Sequence, residues 1–183
     1  MRNGVRSLGI ALIVFAAAGL SVRAEIVDRI SVVVGNRAIK KSDIDREIRI
    51  VSFLNSTTPD ASPQARKAVA SRLIDQMLIR REIQTTGAAP AAMTDAERLL
   101  EQIRKERFPS DAKFHEALAQ YQITEPELKS ALLWQLTVLR FISQRFGGGA
   151  ASNNQTEVNQ QFEAWLDQVR KDTRIDYRED DLR

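Results

Sequence analysis

EIVDRISVVVGNRAIKKSDIDRE, residues 25–47, decides how the rest of this chain is read. Residues 26–34 alternate loosely and then become solidly apolar at Val32, Val33 and Val34. Gly35 and Asn36 reverse the direction into Arg37, Ala38 and Ile39, so the stretch reads as a β-hairpin. Ser42 supplies an N-cap oxygen with Asp45 three positions on, and Ile44, Ile48 and Val51 recur at helical spacing. A first helix is therefore expected over residues 43–54.

Upstream, Arg2 and Arg6 precede an uncharged, mostly apolar stretch that closes on Val22, Arg23 and Ala24, with small residues at the −3 and −1 sites of a cleavage point. Residues 1–24 thus read as a cleaved secretory signal. Its uninterrupted apolar core, residues 8–20, holds 13 residues. A membrane-spanning helix needs about 20, which leaves an uncleaved anchor as the weaker alternative. The chain has no cysteine, so it has neither a lipid attachment point nor disulfides. Loss of the leader takes the 27 basic residues down by three, to 24, against 24 acidic ones. A net charge of about zero offers no basic face for nucleic acid. The expected product is soluble, without stable membrane insertion, and 159 residues suffice for one domain with a modest core.

Downstream, Ser62 and Pro63 start a second helix, since proline in the first turn sacrifices no hydrogen bond. It runs to about Thr86, and Val69, Leu73, Ile74, Met77, Leu78, Ile79 and Ile83 spread over more than one face, as in a central helix. Gly87 to Pro90 break it. Thr94 and Glu97 read as the capping box of a third, polar helix that ends near Phe108 and Pro109. Ser110 and Asp111 open a short fourth helix to about Tyr121. A second box, Thr124 with Glu127, opens a fifth that runs to about Phe146.

That fifth helix carries Leu128, Leu132, Leu136, Leu139, Ile142 and Phe146 on one face and Trp134, Val138 and Phe141 on another. Two apolar faces need two partners. Either both are buried within the domain, or part of the second receives another polypeptide. GGGAASNNQ, residues 147–155, has the composition of a flexible linker. Beyond it Val158, Phe162, Trp165, Leu166 and Val169 form one stripe on a last helix, residues 156–171, and Ile175, Asp176 and Tyr177 alternate like a short strand. Glu179, Asp180 and Asp181 read as a solvated acidic tail, residues 179–183.

Catalytic and metal chemistry find little support. The one histidine, His115, sits on a polar helix beside Glu116 and reads as a surface residue. Without cysteine, zinc-thiolate sites and Cys-His nucleophiles are excluded. Gly147 to Gly149 lack the lysine of a phosphate loop. No catalytic residue, metal ligand or cofactor is expected.

VDRISVVVGNRAIKKSDID resembles the opening of the mature SurA-type periplasmic chaperones, and LIDQMLIRREI, residues 73–83, resembles that family's second helix. FEAWLDQVRKDTRIDY, residues 162–177, is similar to the helix and strand that close the family's core, and the PrsA and PpiD foldases share these motifs. The resemblance implies a mainly α fold of about six helices with a small sheet, in which residues 175–177 pair with residues 30–34. It assigns residues 25–146 to the chaperone domain and 156–178 to a closing helix and strand.

The family usually carries parvulin prolyl-isomerase domains where this chain has only residues 147–155, so the isomerase activity is not carried over. What the resemblance implies is a periplasmic holdase that binds unfolded outer-membrane or secreted proteins through apolar grooves. Trp134, Val138, Phe141, Phe53 and Met77 are the groove candidates. The alternative is an assembly subunit with a fixed protein partner or a second copy of itself, as in a homodimer.

Overall fold

A computed structural model describes residues 28–147 and 155–182; the expected leader, residues 1–24, and all but the ends of the expected linker at 147–155 lie outside the described residues. Strands β1 (Ile30–Val34) and β2 (Arg37–Lys40) form the hairpin. Gly35 turns it at φ +59°, a conformation that costs residues with a side chain about 1–2 kcal/mol. The loose alternation of β1 has a physical cause. The register slips between Ile30 and Val32, so Ser31 is an extra residue in a β-bulge. Ser31 and Val32 consequently both lie inside, each 0% exposed, and Ile30 turns outward.

Strand β3 (Ile175–Tyr177) pairs antiparallel with the other side of β1, Val32 opposite Tyr177 and Val34 opposite Ile175. The sheet order is β2-β1-β3. The expected pairing of residues 175–177 with residues 30–34 is present, and so is the mainly α fold with its small three-stranded sheet.

Six helices occur among the described residues. Helix α1 (Lys41–Asn55) follows β2 without a loop, so it begins two residues earlier than its sequence predicts. Ser42 does not cap it. The Lys40 N–H donates to Asp43 Oδ2 at 2.9 Å, while Ser42 donates both its N–H and its hydroxyl to the Asp28 carboxylate. Those bonds hold the Asp28 pKa below the usual carboxylate range, with the Lys40 and Arg46 charges adding to the effect.

Helix α2 (Pro63–Thr86) has the expected cap, Ser62 Oγ accepting from the Ala65 N–H at 3.3 Å. Helix α3 (Met93–Arg107) starts one residue before its expected cap. Thr94 is already inside the first turn, so the Thr94–Glu97 box does not form. Helices α4 (Asp111–Gln120) and α5 (Glu125–Phe146) start at Ser110 and Thr124 as their capping residues dictate. Helix α6 (Gln155–Asp172) returns along α2 and α5.

Two apolar cores result. The first joins Val32, Val34, Ile39, Ile44, Ile48, Ile74 and Leu78 with Leu182 from the end of the chain. The second gathers Ile50, Phe53, Leu100, Phe114, Leu118, Leu128 and Leu132 from α1, α3, α4 and α5. Its rings interlock, Phe53 stacking on Phe108 at 5.9 Å and meeting Tyr121 edge-on at 5.5 Å.

The acidic end is not the solvated tail its composition suggests. A final 3-10 turn, Asp180–Leu182, plants Leu182 in the first core at 1% exposure. Glu179 accepts from Ser31 Oγ at 2.5 Å and faces Arg66 at 3.6 Å. Arg66, almost wholly buried, also meets Asp45 at 2.5 Å. A buried guanidinium needs nearby negative charge, and Glu179 is drawn in to provide part of it.

Candidate functional site

A cavity of about 1050 Å³ opens between α1, α2, α5 and α6. Its apolar walls are Ile50, Val51 and Leu54 from α1, Leu73, Met77 and Ile79 from α2, Ala131, Trp134, Val138 and Leu139 from α5, and Phe162 and Leu166 from α6. Several of these are the half-buried fringe of the two cores: Leu73, Met77 and Leu166 border the first, Leu54 and Ala131 the second.

The cavity brings together three of the five residues expected in a groove, Trp134, Val138 and Met77. The other two are not available to a partner. Phe53 is 1% exposed at the centre of the aromatic core, and Phe141 is 4% exposed, packed on Trp165 of α6 at 5.7 Å.

For Phe141 the reason lies in how α5 uses its faces. At about 100° per residue, Leu128, Leu132 and Leu139 share one face, while Trp134, Val138 and Phe141 share another. In its first half α5 buries Leu128 and Leu132 in the aromatic core. In its second half it buries Thr137 and Phe141 instead. The buried side thus rotates about the helix partway along. Thr137 Oγ1, bonded to the Leu133 carbonyl at 2.8 Å, accepts from the Ala91 N–H at 3.2 Å and fixes the entry to α3 there. The rotation strands Leu139 at 63% exposure on the cavity's edge, although helical spacing groups it with core residues. No signal in the sequence marks where the buried side turns.

The carboxylates of the polar rim are all paired. Arg46 meets Asp43 at 3.2 Å and Glu127 at 3.3 Å, and Arg72 meets Glu47 at 3.3 Å. Arg170 of α6 grips Asp75 of α2 at 2.6 Å and also donates to the Ser71 carbonyl and hydroxyl at 2.9 Å. Burial raises the Asp75 pKa, and the bond from Arg170 opposes it. Hydrogen bonds from Thr124 lower that of Glu127, assisted by Arg46. Each carboxylate lining the cavity is thus engaged by an arginine, and none is left as an unclaimed acid or base.

His115 is elsewhere, exposed on α4 with its Nδ1 2.9 Å from the Asp111 carbonyl. Among the described residues no cluster of His, Cys, Asp and Glu could hold a metal ion, and no helix is long and apolar enough to cross a membrane. The arrangement can bury apolar groups; it presents no assembled acid, base or nucleophile.

No family model matches the chain, and no curated protein matches it.

Proposed function

We propose that this protein is a non-catalytic periplasmic holdase of the SurA type, without an isomerase domain, that binds unfolded outer-membrane or secreted polypeptides. One observation carries the reading: an open cavity lined by apolar side chains from four helices, with every carboxylate on its rim engaged by an arginine. Pockets that bury small molecules occupy roughly 300–1,000 Å³, so a space of about 1050 Å³ has room for a few side chains of a longer segment. Burial at about 25 cal/mol per Å² drives such binding without nucleotide. Met77 adds a flexible, polarisable filler suited to varied clients.

The decisive measurement is the aggregation of a denatured barrel protein in the presence of residues 25–183. Suppression at equimolar to several-fold excess is expected, and the double substitution Trp134→Ala and Val138→Ala should weaken it. No suppression at several-fold excess would sink the proposal. The exposure of Leu139 also suits a fixed partner or a second copy of the chain. A single sharp complex on pull-down, without affinity for denatured clients, would favour that second reading.

A further inference from the structure

The rim of the cavity is neutral toward α1, whereas Arg80, which lines it beside Trp134, has Arg37 rather than a carboxylate as its charged neighbour. On the α1 side Arg46 and Arg72 both have carboxylate partners. At the other end Arg80 lies over Trp134, its guanidinium carbon 4.1 Å from the ring centroid. Arg37, the first residue of β2, donates to Gln84 Oε1 at 3.2 Å, one turn further along α2. Neither Arg37 nor Arg80 is paired with a carboxylate of the described residues. The carboxylates nearby on α2 are already engaged, Asp75 by Arg170 and Glu82 by Arg145 at 2.5 Å.

The two guanidinium groups also act on one another. Partial desolvation pulls the Arg80 pKa down, and the charge of Arg37 pulls it further. Two neighbouring cations repel, and an anion placed between them relieves the repulsion and gains charge-assisted hydrogen bonds. Trp134 already borders this position, so an occupant would offer an apolar body to the cavity and a negative group to its end.

We infer that the cavity binds apolar polypeptide segments flanked by an acidic side chain, whose carboxylate sits between Arg37 and Arg80. The inference rests on the holdase reading and specifies its clients by charge. Because an extended chain advances about 3.3 Å per residue, the Asp or Glu belongs within one or two residues of the side chain that meets Trp134.

Three labelled, C-terminally amidated peptides test it, sharing one apolar core and flanked by Glu, Gln or Lys. Their binding to residues 25–183 is followed by fluorescence anisotropy at low ionic strength. The Glu peptide should bind roughly three- to tenfold more tightly than the Gln peptide, and the Lys peptide most weakly. The preference should shrink as salt is added. In the double variant Arg37→Gln, Arg80→Gln the Glu and Gln peptides should bind alike.

If the double variant loses both peptides, Arg37→Gln alone, which disturbs no ring contact, carries the test and should reduce the preference. A Glu peptide bound no better than the Gln peptide, or a preference that survives these substitutions, overturns the inference while leaving the holdase reading intact. Failure of all three peptides to bind removes both.

Discussion

Beneath the sheet, Val32 and Ile39 meet Leu182, more than 140 residues away, over Ile74 of α2; around Phe53, the rings of Phe108, Phe114 and Tyr121 come from the middle third alone. The first core is aliphatic and closes only when β3 and Leu182 dock on β1 and α2. The second is aromatic, and its members lie between Ile50 and Leu136. Helix α1 serves both, with Ile44 and Ile48 in one and Ile50 and Phe53 in the other. The cavity takes its walls largely from the partly buried margins of the two. An apolar space is thus kept open because each core is satisfied by its own members and neither needs the residues between them.

Three substitutions would break or sharpen this contrast. Phe53→Ala removes the ring that Phe108, Phe114 and Tyr121 all touch. It should cost about 3–5 kcal/mol, read from denaturant unfolding. A loss under 1 kcal/mol would mean that the rings repack without their centre.

Leu182→Ala should cost about 2 kcal/mol or more, as for other fully buried leucines. Amide exchange should then quicken in β1 and β3, where Arg178 N–H donates to the Ser31 carbonyl at 2.8 Å, and stay unchanged in α3 and α4. Faster exchange in both regions would show that the two cores open as one unit.

The smallest effect belongs to Thr124→Ala, about 1 kcal/mol for a lost N-cap, with fraying confined to the start of α5. This substitution also has a pH signature. Of the two Thr124 bonds that hold the folded pKa of Glu127 below its unfolded value, the backbone one survives the substitution and the hydroxyl one is lost; the lost stabilisation is full above the usual carboxylate range and fades as pH falls through the lower folded value. The gap between variant and wild type should therefore narrow on acidification; an unchanged gap would contradict the box as a charge-assisted contact.

Much of the fold is legible in local sequence, for particular reasons. Ser62 with Pro63, Ser110, and Thr124 with Glu127 place three helix starts because a cap is a contact between neighbours in the chain. Ser42 and Thr94 mislead for a non-local reason in one case and a positional one in the other. Asp28, 14 residues upstream, claims Ser42, and α3 simply begins one residue ahead of Thr94.

The candidate site is less legible. Helical spacing groups Phe141 with Trp134 and Val138, and Leu139 with the core leucines, and only the turning of α5's buried side reverses those two; Phe53 on α1 is claimed by aromatic partners distant in sequence. The docked acidic end is invisible in composition because what recruits it is Arg66, more than a hundred residues away.

The Ser31 bulge also sets an order of events. Its bond to Glu179 joins residues 148 positions apart, and contacts of such span form late, since the closure entropy of the intervening chain must be met before they return anything. The aromatic centre can assemble from the middle of the chain, whereas the sheet waits for the closing segment. During refolding, pulse-labelled amides of α3 and α4 should gain protection before those of β1. Another chain arriving in that interval would meet the hairpin with one edge still unpaired.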